Sequence, residues 1–146
     1  MNPAPLFEVV QSKESERARF DILRYRPLLH TDSQERQQMG ERLHQVRVIL
    51  DQQKIYSEEH MFSFCKGPIE IDLKYQDSDA KQAKRIKESL IDTEAKMKPT
   101  YEGIGELYLK PEWNDYFILT LNEGEEIMVQ QGIFVCAEAD IHYQKV

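Results

Sequence analysis

Val48-Ile-Leu-Asp-Gln-Gln-Lys-Ile-Tyr-Ser-Glu-Glu-His-Met-Phe-Ser-Phe-Cys-Lys-Gly-Pro-Ile-Glu-Ile71 is a run of β-forming residues interrupted by turn chemistry. Val48 and Leu50 open a strand, and Asp51 to Lys54 is polar. Ile55, Tyr56 and the run His60 to Cys65 return to apolar character, and Lys66-Gly-Pro reads as a corner. Beyond it Ile69, Ile71 and Leu73 alternate with Glu70, Asp72 and Lys74. That period of two marks a strand buried on one face. A second stretch, Leu119 to Tyr143, matches the first: Ile55 with Ile127, Met61 with Ile133, Phe62 with Phe134, Ile69 with Ile141, all 72 positions apart (127 − 55, 141 − 69). The match predicts a duplicated unit of strand, polar turn, strand and corner, the two copies packed on each other around their apolar sides.

Working outward, Leu6, Val9 and Val10 predict a short strand, and Gln11 to Arg19 a polar loop. Phe20 and Ile22, with Arg24, share one side of a further strand. Asp32 or Ser33 offers a cap for a short helix over about 33–41, giving way near Gly40 to a strand over about 43–50. Ala83, Ile86 and Leu90 fall at helical spacing among Lys81, Lys84, Arg85 and Lys87. A charged excursion, helix or loop, is therefore expected at about 77–98. Strands are also expected at 116–121, 126–129, 132–137 and 141–143, with a turn at Asn122-Glu-Gly. The fold class is mainly β, an antiparallel sandwich or barrel with internal duplication and one or two short helices. Residues 1–42 form an N-terminal extension and 43–146 the duplicated domain.

The segments Val48-Ile-Leu50, Glu58-Glu-His60-Met-Phe and Gly67-Pro-Ile69, then Gly103-Ile-Gly105 and Gln131-Gly-Ile-Phe-Val-Cys-Ala137, resemble the altered-inheritance-of-mitochondria family of β-rich proteins. The resemblance covers about residues 43–146, one half of a typical member, and implies the β fold of the tryptophan RNA-binding attenuator protein. His60 stands where that family has glycine. RNA binding by analogy with the fold ranks last, because fold alone does not carry function and the repeat strands show no Lys/Arg cluster.

Composition narrows the function. The 146 residues carry 19 Lys and Arg against 26 Asp and Glu, a net charge of −7, which disfavours nucleic acid and anionic membranes. No run of about 18 apolar residues exists, so no membrane insertion is expected. The start, Met1-Asn-Pro-Ala-Pro, has no secretory signal character, and two cysteines in apolar surroundings, Cys65 and Cys136, suit a reducing cytoplasm. Phosphate loops, dinucleotide fingerprints and zinc spacings are absent, so no catalytic residue and no cofactor are expected. His60 and His142 fall near equivalent corners of the two copies and are the candidates for a cupin-like metal site, with Cys65 or Cys136 beside them. Trp113, Tyr116 and Tyr101 are candidate interface aromatics, Trp113 serving otherwise as a cap on the sandwich. The leading expectation is a non-enzymatic scaffold that forms a homo-oligomer or binds a protein partner. A small-ligand or metal-binding domain is the alternative.

Overall fold

A computed structural model describes residues 5–27, 34–73, 98–130 and 132–144. The excursion expected at 77–98 lies outside the described residues apart from its last position.

Among the described residues, seven strands make one antiparallel sheet: β1 (Phe7–Glu14), β2 (Ala18–Tyr25), β3 (His44–Ser57), β4 (Phe62–Lys66), β5 (Ile69–Asp72), β6 (Thr100–Leu109) and β7 (Cys136–Glu138). The order across the sheet is β1-β2-β3-β6-β4. β7 continues beside β3 where β2 ends, and β5 continues beside β6 where β4 ends. The mainly-β expectation holds. One helix, α1 (Gln34–Gln38), precedes β3, and Gly40 at φ 92 ends it, close to where the turn from helix to strand is expected. β1 runs through residues read as loop, because Gln11 to Glu14 pair with β2 despite their polarity. Residues expected as an N-terminal extension thus supply two strands of the sheet.

Pairing sets the two faces. Ala18, Phe20 and Ile22 stand opposite Leu50, Val48 and Val46, and Val48 stands opposite Leu107. With Ile55, Tyr101 and Leu109 they make the core. Tyr116, Ile118, Val135 and Cys136 pack over that face as its cover. The other face carries Asp21, Arg47 and Tyr108, with Phe64 stacked on Tyr108 at 4.3 Å.

Gly103-Ile-Gly105 allows the corner between β4 and β5 to cross β6 closely. A side-chain carbon on Gly105 would sit 2.0 Å from the Lys66 carbonyl oxygen, and one on Gly103 2.2 Å from that of Pro68. The Ile69 N–H donates to the Gly67 carbonyl at 2.9 Å, closing a three-residue turn around Pro68.

The duplication expected from sequence is not repeated in structure. In the first copy the polar residues Asp51 to Lys54 do not turn. Gln52 takes φ 66 as a bulge, and β3 continues because β6 pairs with it on both sides, Asp51 with Ile104 and Gln53 with Gly103. In the second copy, β7 is the one ladder strand among the described residues, and the strands expected at 116–121 and 126–129 are not formed. Ile55 is fully buried whereas its counterpart Ile127 is 52% exposed. Phe62 stacks on Tyr101 in the core, but Phe134 stacks on Tyr56 on the other face. The physical reason is that β6 gives the first copy a neighbour along its length, and no strand among the described residues does so for residues 119–130.

Candidate interaction surface

After β6 the chain bridges back to β3: Glu112 and His44 exchange both backbone hydrogen bonds, at 2.8 and 2.9 Å. His44 is buried, with its ring 3.0 Å from the Arg42 carbonyl and 3.4 Å from the Asp115 carboxylate. Tyr116 and Ile118 then lie on the core, and the Ile118 N–H donates to the Gln11 side chain at 3.1 Å. Burial first, then the neighbouring Glu112 and Cys136, pushes the Tyr116 hydroxyl up to about 12.

From there the chain forms an arm that returns at Val135, whose carbonyl accepts the Glu58 N–H at 2.8 Å. Phe117, Leu119, Ile127, Met128, Val129 and Ile133 on this arm are exposed, Met128 at 81% and Phe117 at 67%. They are half of the large exposed apolar side chains among the described residues. A clustered set of this kind marks a contact surface, whereas singly scattered ones do not. A turn at the far end is closed by the Glu125 N–H on the Asn122 carbonyl at 3.0 Å, with Gly124 at φ 83. Glu123, Glu125 and Glu126 make this tip acidic and exposed.

The return of the arm is fixed by a buried lysine. Lys98 is 3% exposed, donates to both oxygens of Glu58 at 2.9 and 3.0 Å, and lies 4.3 Å from the Tyr143 ring and 5.4 Å from the Phe134 ring. Two ring faces and a carboxylate replace the water the ammonium gives up.

The predicted site residues separate. Tyr101 is fully buried, with its hydroxyl 3.0 Å from that of Ser57. It is a core residue and not an interface one, because its position on β6 faces the covered side. Tyr116 is half-buried in the cover. Trp113 is partly buried beneath the Arg36 guanidinium of α1, 5.6 Å from the ring centre. His60 and His142 are both exposed, and no group of three or more His, Cys, Asp or Glu able to hold a metal exists among the described residues. The cysteines are unpaired. Burial pushes the Cys136 thiol up to about 12, so it carries no thiolate at neutral pH.

Two features escaped the sequence reading. Asp21 is 1% exposed between Ser12 and Arg47, a charged residue set among apolar neighbours in β2. A cleft of about 470 Å³ lies at the end of the β1–β2 pair, lined by Pro5, Phe7, Tyr25 and three arginines, Arg24, Arg26 and Arg42, with Glu8 as its one acid. Arg24-Tyr-Arg-Pro27 in an acidic chain was the available signal for it.

No curated protein matches the chain, and no solved structure does. The model of the family described as Mitochondrial biogenesis AIM24 matches residues 37–145, most of the chain, from the last two residues of α1 through β7. The chain belongs to this mitochondrial biogenesis family.

Proposed function

We propose that the protein is a non-enzymatic interaction protein in the process its family is described by, working through protein–protein contact and self-associating through the arm between Tyr116 and Val135. The supporting observation is that arm: it is anchored at both ends on the core, yet presents six large apolar side chains outward. Its sequence has strand character, no strand among the described residues pairs with residues 119–130, and an unpaired strand-forming segment readily adds to another chain. The unpaired cysteines support a reducing compartment, in our reading the cytoplasm. No helix among the described residues is long and apolar enough to cross a membrane.

Light scattering on the eluting protein tests this. The mass expected is a multiple of 17.3 kDa, and Leu119→Ser with Met128→Ser lowers it to that of one chain. A single-chain mass for the unmodified protein at every concentration contradicts the proposal.

A further inference from the structure

The chain carries net charge −7, so two copies repel unless a positive region of one faces a negative region of the other. Among the surfaces described, the cleft beside β1 and β2 is basic, with Arg24, Arg26 and Arg42 against Glu8. Its floor is aromatic, Phe7 lying edge-on to Tyr25 at 5.6 Å. The tip of the arm is its complement. Glu123 and Glu126 are exposed and form no ion pair among the described residues, while Asn122 holds Glu125. Leu119, Ile127 and Met128 beside the tip are exposed apolar groups suited to Phe7, Pro5 and Pro27.

The geometry of the cleft also favours an acidic guest. Arg24 pairs with Glu8 at an exposed position, and such a pair exchanges partners at little cost. Arg42 is held by two carbonyls, those of Gln37 and Glu41, both at 2.8 Å. Those bonds fix the side chain in place before a partner arrives, which reduces the ordering lost on binding. From Ile118 to Gly124 an extended chain reaches about 20 Å, enough to leave its own core and enter a neighbour.

We infer that the acidic tip Glu123–Glu126 of one copy seats in the arginine-lined cleft of a second copy, a head-to-tail contact between two different surfaces. This rests on the self-association proposed above and specifies its mode. Such a contact leaves one tip and one cleft free on each pair, so it closes into a ring or continues as a chain. Because it joins opposite charges at an exposed rim, it weakens with salt.

A mixing experiment on the full chain tests the contact. Glu123→Lys with Glu126→Lys reverses the tip, and Arg24→Glu with Arg26→Glu reverses the cleft. Each variant alone is expected to associate about tenfold or more weakly than the unmodified protein. An equimolar mixture is expected to recover association, since the cleft variant retains an intact tip for the intact cleft of the tip variant. Should a reversed variant not fold, Glu126→Gln and Arg24→Gln serve instead. A salt series from about 0.1 to about 1 M, which shortens screening from about 10 to about 3 Å, is a further arm. Association that resists reversal of either surface, or a mixture no stronger than its components, overturns this contact while leaving self-association standing. A single-chain mass for the unmodified protein overturns both.

Discussion

The Arg47 guanidinium donates to the Asp21 carboxylate at 2.8 Å, and neither side chain reaches water freely, with 13% and 1% of their surfaces exposed. Ser12 donates to the same carboxylate at 2.6 Å and Arg19 at 3.2 Å. The pair therefore ties the edge strand β1 and the inner strand β3 to β2 from the face away from the core. Removing one partner strands a buried charge. Asp21→Ala is expected to cost about 3–5 kcal/mol of stability in urea unfolding.

The same carboxylate gives a pH signature. Burial alone would raise its pKa, but the Ser12 hydroxyl and the Arg47 and Arg19 guanidiniums outweigh it and hold it below the usual 3.8. A lowered pKa stabilises the fold above 3.8, and that stabilisation fades as pH falls through the folded-state value. The gap in unfolding midpoint between the protein and Asp21→Asn is expected to be full at neutral pH and to close under acid. A gap that is constant with pH contradicts this.

Gly105→Ala and Gly124→Ala separate crowding from backbone conformation. Both glycines have positive φ, 150 and 83. An added carbon at Gly105 meets the Lys66 carbonyl, whereas at Gly124 it meets open space. Thermal unfolding is expected to show a loss of about 3 kcal/mol or more at Gly105 and about 1 kcal/mol at Gly124.

His60 holds φ 62, the left-handed region that suits glycine. A glycine takes this conformation without the clash that a side chain brings. Relief of about 1–2 kcal/mol of strain, less about 0.5–1 for the looser unfolded chain, leaves His60→Gly more stable by roughly 0.5 kcal/mol. His60→Val is expected to lose about 1 kcal/mol, and denaturant midpoints decide the order.

Lys98 and Glu58 are unequal partners, since the side chain of Lys98 is 4% exposed and that of Glu58 40%. Glu58→Ala leaves the ammonium buried without its counter-charge and is expected to cost about 3 kcal/mol in urea unfolding. Lys98→Met keeps an unbranched apolar side chain against Phe134 and Tyr143 and is expected to change stability by less than about 1 kcal/mol.

Legibility in the sequence followed the range of the interaction. Ile69 and Ile71 alternate with Glu70 and Asp72, and that alternation alone placed β5, because an apolar period of two answers to a single buried face. The corner at Gly67-Pro68 was local chemistry as well. Leu119-Thr-Leu121 has the same local character as Val48-Ile-Leu50, yet it forms no strand, because a strand needs a neighbour and none lies along it among the described residues. Pairing of distant strands also hid the Asp21–Arg47 cluster, whose members lie 26 residues apart. Tyr101 read as an exposed aromatic because its direction depends on the register of β6 with β3 and β5, which spacing does not reveal. The arm was marked in sequence by its apolar residues, but its exposure was not.

The account stands on the arm between Tyr116 and Val135 being covered by another molecule. Hydrogen exchange at the amides of Leu119 to Val129, followed as protein concentration rises, measures that directly. Exchange is expected to be fast in dilute solution and to slow progressively as copies associate, while the β3 and β6 amides stay protected throughout. Exchange at the arm that remains fast at every concentration, with the protein folded, contradicts the account.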